Sequence, residues 1–334
     1  VALDVLVLGG AGVDTIVYVP ELPLSYADSY LVPAIEARPG QTGDNVALNL
    51  RALGLNAHLM DLLGDDHEGR LVRGLHDDRA TFFHTFSGTK RAVNLVDPSG
   101  RRLSLYDISR GHETERLPQA ELAALAGSAR HVHVSITHPC QHALETVASS
   151  GATISTDLHN WDGLNPYHEQ FAYAADVVFM SATALTDHEK VMRSVLEKGR
   201  AQVVIATAGA DGGYLLSRAA HPASRAADPA SQAADPASQA ARAKPAGVVP
   251  PFQAADLEPA GVVPPFQAAD PVSANVVQQY PAAPLPAAAV DSNGAGDAFV
   301  AGFLAAWLGG ASYVDSVRAG AERGALACTV IGVP

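Results

Sequence analysis

Apolar and polar positions alternate in two different rhythms along this chain. Over roughly the first hundred residues the rhythm is that of short strands. Asp4–Leu8 (DVLVL) is an apolar run that enters Gly9-Gly10-Ala11-Gly12, which predicts a strand ending in a tight turn. The next stretch, IVYVPELPLSYADSY, has Pro20 and Pro23 where a helix would have to run, so it reads as β-rich and hairpin-like. A dinucleotide-binding turn is disfavoured for the same reason, and because the third glycine of such a motif would fall on Thr15. Asn45–Leu53 (NVALNLRAL) has helical spacing and stops at Gly54, a natural C-terminal cap. Thr89–Asp107 alternates again around Asp97-Pro98-Ser99-Gly100, a hairpin signal.

From about Arg130 the rhythm becomes strand then helix: HVHVSI, QHALETVAS, TISTDL, DVVFMS, HEKVMRSVLEKG, QVVIATAG. Alternation of this kind predicts parallel βαβ units, with ligand-binding loops at the carboxyl ends of the strands. Residues 219–271 break it. AAHPASR, AADPASQ and AADPASQ are near-copies of one seven-residue unit, and PAGVVPPFQAAD occurs twice after them. A proline in each unit rules out a continuous helix, so the segment reads as a low-complexity, mobile insertion. The pattern resumes at Val290, where VDSNGAGDAF runs into AFVAGFLAAWL, apolar at nearly every position and long enough for a largely buried helix.

Composition narrows the class. With 334 residues and 48% hydrophobic content, the chain can form one large domain. A net charge of −13 argues against nucleic acid or an anionic membrane as partner. The opening VALDVLVLGG has no basic region or cleavage site and reads as a strand, not a signal peptide. Two cysteines, Cys140 and Cys328, cannot build a disulfide framework, which fits a cytoplasmic location.

The chemistry centres on Val290–Phe299. Amides at the start of a helix lack intrahelical partners, and the helix dipole adds positive potential there. Small residues at Gly294, Ala295 and Gly296 let an anion approach those amides, so the turn suits a phosphate or a transferring phosphoryl group. Asp297 would repel a resting phosphate but could take the proton from a hydroxyl attacking phosphorus. On the residues alone, Asp297 as a simple capping carboxylate above an ordinary glycine turn stays open. DSNGAGDAF, however, resembles the DTxGAGD signature of the ribokinase/PfkB carbohydrate kinase family. The resemblance implies an anion hole at Gly294, Ala295 and Gly296, a catalytic base at Asp297, and ATP with Mg2+ as cofactors.

Other segments fall in the family's order. Arg38-Pro-Gly-Gln-Thr-Gly-Asp-Asn45 is similar to its PGGxxxN signature, with Gln41 where a second glycine is common. It implies acceptor contacts at Gly40, Gln41, Gly43 and Asn45, while Asp14 stands where relatives bind sugar hydroxyls. A turn opening a helix with Asp44 as cap is the plainer reading of the same residues. Asp157, His159 and Asn160 could bind further hydroxyls, and Tyr18, Tyr26, Tyr30 and Trp161 could stack on saccharide rings. Thr207-Ala-Gly-Ala-Asp-Gly212 is similar to the family's nucleotide loop, implying ATP contacts at Thr207, Gly209 and Gly212. Asp291 and Asn293 occupy positions where relatives line a monovalent-cation site, so K+ joins the expected cofactors.

One motif departs. Where the family carries N-x-x-E after the strand ADVVF, this chain has Ser181-Ala-Thr-Ala184. Either the metal is held mainly by ATP and water, with Asp187, Glu189 or another acid helping, or activity is reduced; no metal ligands are assigned. His131, His133, His138 and His142 fall short of a zinc set and are expected at strand ends facing a polar cleft. The resemblance implies an α/β fold: a ribokinase-like, doubly wound, mostly parallel sheet with helices on both faces. It forms a single kinase domain over 1–334, with a small β lid from about 14–38 and 89–107. LVLGGAGVDTIVYVPELPL, GQTGDNVAL, STDLHNWDG and FMSATALTD look nearest to an actinobacterial subgroup that phosphorylates the pseudo-tetrasaccharide acarbose. The expected acceptor is therefore acarbose or a related aminocyclitol oligosaccharide. The alternatives are a kinase for a simple sugar or nucleoside, or a non-catalytic sugar- or nucleotide-binding relative. The expected partners are the small-molecule substrate and a second copy meeting this one through the β lid.

Overall fold

Short, continuously apolar strands can be buried on both faces, and that is where the chain puts them. The computed structural model describes residues 2–218 and 275–333; the repeats at 219–271 lie outside the described residues. From the N-terminus come β1 (Leu3–Leu8), β2 (Gly12–Tyr18), β3 (Ile35–Pro39), α1 (Thr42–Ala52), β4 (Ala57–Leu63), α2 (His67–His76) and β5 (Ala80–His84). Then follow β6 (Lys90–Val96), β7 (Arg102–Tyr106), α3 (Gln119–Ser128), β8 (Ala129–Val134), α4 (His138–Gln141), α5 (Leu144–Ala148), β9 (Thr153–Asp157) and α6 (Pro166–Ala174). The last described elements are β10 (Val177–Ser181), α7 (His188–Lys198), β11 (Val203–Thr207), β12 (Gly213–Ser217), β13 (Gln278–Tyr280), α8 (Ala295–Leu308) and α9 (Tyr313–Ala327).

Nine strands form one sheet in the order β13-β12-β11-β10-β9-β8-β1-β4-β5. From β11 to β5 every neighbouring pair is parallel, and β12 and β13 add an antiparallel edge. Alternate side chains of each strand feed two cores. Leu6 and Leu8 of β1 pack with Leu122, Val147, Phe171 and Val195 from α3, α5, α6 and α7. Val5 and Val7 pack on the other face with Leu50, Val72, Phe303 and Val317 from α1, α2, α8 and α9. The α/β class with helices on both sheet faces, expected from the strand–helix rhythm and the family resemblance, is borne out.

The remaining strands, β3-β2-β6-β7, make a separate four-stranded sheet, which the chain enters at β2 directly from the carboxyl end of β1. Pairing puts Asp14, Arg38, Asn94 and Arg102 on even positions of neighbouring strands, and Val13, Val17, Ile35, Val93, Leu95, Leu103 and Leu105 on odd ones. Strand side chains alternate between faces, so this small sheet has a polar face and an apolar face.

Two expectations are corrected. The run QHALETVAS is not one helix: Gln141 is the last residue of α4, and α5 begins only at Leu144, after a break at His142, whose ring is engaged with the Glu113 carbonyl. His131 and His133 do not face a cleft. Both are buried between strands, where His131 bonds Thr153 Oγ1 (2.8 Å) and Ser155 Oγ (2.7 Å) and His133 bonds Ser155 Oγ (2.8 Å). Burial holds their pKa values down near 3 and 4, so both rings are neutral.

Candidate active site

Two helix N-termini converge where β1 ends. Gly9 and Gly10 both take positive φ (73° and 77°) and turn the chain into β2. The start of α1 packs directly on this turn, with Gly43 N donating to the Gly10 carbonyl at 2.9 Å. A Cβ on Gly43 would lie 1.8 Å from the Gly9 carbonyl oxygen, so packing by itself requires glycine here. Gln41 caps α1 and Asp44, three residues on, returns the bond to the Gln41 backbone (3.3 Å), a capping box. The helix thus starts at Thr42, ahead of the expected Asn45, and Asp44 is the reciprocal partner and not the cap.

Asp297 lies in the first turn of α8 and reaches across to this end of α1. Its Oδ1 accepts from Thr42 Oγ1 at 2.6 Å and its Oδ2 from Asn45 Nδ2 at 2.9 Å. Burial pushes the Asp297 carboxyl up, and these two donors pull it back; His159 and Asp157 add opposing electrostatic effects. Gly294, the residue before the helix, has φ 79°, and no side chain caps α8 among the described residues. A Cβ on Gly296 would meet nothing within 4 Å, so its glycine leaves open space over the first amides instead of serving packing. The helix behind them is anchored: Ala298–Leu304 are buried, and Phe299 and Phe303 meet Phe179 edge-on at 6.3 and 5.2 Å. Each of those large side chains contributes about 1.5–3 kcal/mol on burial.

Asp14 stands on the polar face of the small sheet. Gln41 Nε2 donates to its Oδ1 at 3.1 Å, and Asn94 adds a second side-chain bond. Burial nevertheless raises its pKa from 3.8 to about 6. Because the folded value exceeds the unfolded one, protonated Asp14 favours folding; that contribution is complete below 3.8 and is lost as pH rises through 6. Ionised Asp14 therefore costs the folded state on the order of 3 kcal/mol at neutral pH. Asp14→Asn should melt higher than wild type at about pH 8, with the gap closing toward about pH 4, while the acceptor KM rises throughout. A melting difference that ignores pH would disconnect the effect from this carboxylate.

The other sequence-predicted residues divide. Asp157, at the end of β9, accepts from His159 N at 2.8 Å; His159 has φ 51°, and Asn160 is exposed. Gly40 has φ 128° and lies against the Asn45 amide group. Thr207 ends β11 with its hydroxyl 3.4 Å from the Met180 carbonyl, and Gly209 turns outward at φ 58°. Gly212 is held by packing, since a Cβ there would lie 2.0 Å from the Tyr280 carbonyl. Asp291 is ion-paired with Arg38, and Asn293 bonds back to Asp291. Trp161 is buried with its indole N–H on the Asn165 carbonyl, so it offers no stacking face, and the Tyr30 hydroxyl is bonded to the Ser25 carbonyl.

No magnesium-holding set is built at the altered motif. Ser181 Oγ bonds Thr183 Oγ1 (2.7 Å), Asp187 caps α7 through Lys190 N (3.0 Å), and Glu189 is paired with Arg193. Among the described residues no group of three His, Cys, Asp or Glu side chains is placed to hold a metal ion. The residues present do not fit a protein-held magnesium.

Sequence reasoning missed Thr42, Asn94 and Arg102, and quoted Arg38 without giving it a role. Arg102 Nη1 donates to Asn293 Oδ1 at 3.2 Å, from β7 to the turn before α8. For Arg38, Asn94 and Arg102 the available signal was the alternation of the small sheet's strands, which puts them on Asp14's face; Thr42, on α1, had no such signal.

Comparison with known proteins fits this geometry. A profile of the pfkB family of carbohydrate kinases matches residues 2–237 and 267–333. The acarbose 7(IV)-phosphotransferase of Actinoplanes sp. is 48% identical over 330 residues, covering 98% of this chain and 92% of that protein. The structure of a microbiome-derived acarbose kinase, Mak1, superposes with a TM-score of 0.75 at 36% identity, over 99% of this chain and 94% of that one. Arabidopsis thaliana ribokinase, complexed with ribose and ATP, shares the fold at a TM-score of 0.67 and 17% identity, over 100% of this chain and 95% of that one.

Proposed function

The chain belongs to the pfkB family of carbohydrate kinases, and from that premise we propose that it transfers the γ-phosphoryl group of ATP to a hydroxyl of acarbose or a related aminocyclitol oligosaccharide. One observation carries the reading: a partly buried carboxylate, Asp297, held by Thr42 and Asn45 at the open start of α8. Such a carboxylate takes the proton as the acceptor oxygen attacks phosphorus. The new P–O bond forms as the bond to the β,γ-bridging oxygen breaks, and ADP leaves. The first amides of α8, at Gly294, Ala295 and Gly296, stabilise charge on the equatorial oxygens. Asp14 and Asn45 orient the acceptor, with Gly40, Gln41, Asp157, His159 and Asn160 around it. Thr207, Gly209 and Gly212 line the nucleotide side.

The acceptor class rests on the 48% identity to a protein named for acarbose phosphorylation. Incubation with ATP, Mg2+ and acarbose should give a product heavier by one phosphate. If acarbose is inert while ribose, fructose or a nucleoside reacts, the acceptor reading fails and the kinase stands. If nothing is phosphorylated while ATP still binds, the non-catalytic alternative is favoured.

The apolar face of the small sheet is the surface we assign to a homodimer. Ile35, Leu103 and Leu105 are exposed on it, beside a groove of about 460 Å3 that Val13, Val93 and Leu105 line together with the paired charges of Glu68, Arg91 and Asp107. The molar mass from light scattering is the check. Both cysteines are free, and no described helix is long and apolar enough to cross a membrane, which with the need for ATP supports action in the cytoplasm.

A further inference from the structure

Asp291 is a buried charge that the transfer chemistry does not use. Its side chain is 3% exposed, two residues before the Asn293–Gly294 turn that opens α8. A carboxylate removed from water needs a counter-cation, and either a bound monovalent ion or a side chain can serve. Here Oδ1 accepts both from Asn293 N (2.9 Å) and from Asn293 Nδ2 (2.6 Å). Oδ2 faces the guanidinium of Arg38 in a direct ion pair. A monovalent cation on Oδ2 would stand against that guanidinium, so the K+ expected at Asp291 and Asn293 does not fit. The same Arg38 is fixed by its neighbours, pairing with Glu36 and donating to the Tyr18 hydroxyl (3.1 Å).

We infer that Arg38 is the resident counter-cation of Asp291, a positioning residue that holds the Asp291–Gly294 turn, and with it the anion hole, without a bound monovalent cation. The contact spans 253 residues of sequence. It joins β3, whose end leads through Gly40 and Gln41 to the acceptor side, to the turn on the phosphate side. Planar guanidinium geometry suits a desolvated carboxylate better than a mobile ion does, because its donors are covalently placed. The inference rests on the kinase reading above.

The test uses the full chain with ATP, Mg2+ and acarbose in choline, sodium or potassium chloride at equal ionic strength. Wild-type rates should agree within about twofold across the three salts, since screening is held constant. Arg38→Gln should lose about tenfold or more in kcat/KM for ATP, and potassium or millimolar guanidinium should restore part of it. Arg38→Lys should retain more activity than Arg38→Gln. In thermal melts, potassium in place of choline should leave wild type unmoved and stabilise Arg38→Gln. A severalfold potassium activation of wild type overturns the inference, and so does an Arg38→Gln defect that no cation relieves. If Arg38→Gln does not fold, the wild-type salt comparison decides alone. If no salt supports phosphorylation, the kinase reading fails separately, and the ATP-induced melting shift of wild type in choline against potassium still tests Arg38.

Discussion

Asp297→Asn is expected to lower kcat by about 10^2- to 10^4-fold, the range for losing a positioned general base, while ATP binding stays within a few-fold of wild type. The substitution isolates proton transfer because the site can accept an amide. Asn in this place can keep its oxygen toward Asn45 Nδ2 and turn its NH2 toward Thr42 Oγ1, which can accept as well as donate. The anchoring of α8 through Phe299 and Phe303 is untouched. The amides that would meet phosphate therefore stay where they are. Only the ability to carry away a proton is lost. Single-turnover phosphorylation and equilibrium nucleotide binding, measured side by side, separate the two effects. Turnover near wild type would remove Asp297 from the chemistry, and a parallel loss of ATP affinity would make its role structural.

That experiment addresses the part of the site that the sequence made most legible. A run of small residues followed by an acid and then by apolar residues marks a helix start under local rules alone, and α8 begins at Ala295, within that run. The strand–helix rhythm after Arg130 is likewise local, because parallel strands buried on both faces must be continuously apolar. The partners of Asp297 could not be read this way. Thr42 and Asn45 are 255 and 252 residues distant, and nothing in the hydrogen-bonding capacity of a threonine says which carboxylate it will meet. The same holds for Arg38 and Asp291, each half of a pair made only once β3 meets the turn before α8. Gly43 errs in the opposite direction. Its glycine was legible, but its reason was not, since the clash it avoids is with a backbone oxygen at Gly9.

The buried Asp44 should prove the most costly side chain to remove for stability. It has no exposed surface, and three donors depend on it: Gly12 N at 2.9 Å, Gln41 N at 3.3 Å and His76 Nε2 at 2.8 Å. The histidine cannot easily adapt. Arg51 Nη1 lies 2.8 Å from His76 Nδ1, and since arginine only donates, Nδ1 must accept and Nε2 must carry the hydrogen that goes to Asp44. Asp44→Ala strands these three donors at about 1–3 kcal/mol each, on the order of 3–5 kcal/mol together. For a chain of 334 residues that is a fall in melting temperature of about 4–7 °C. Asp44→Asn keeps the volume but not the pattern. Its NH2 opposes either His76 Nε2–H or Gly12 N–H, and switching the tautomer moves the conflict to Arg51. The loss should therefore be smaller than for alanine but still clear. Function should follow the same route, because Gly12 and Gln41 flank Asp14 and Gln41 bonds it directly. In whatever fraction remains folded, the acceptor KM should rise more than the KM for ATP. Melting within about 2 °C of wild type for Asp44→Ala would mean that this network does not hold the end of α1 against the β1–β2 turn.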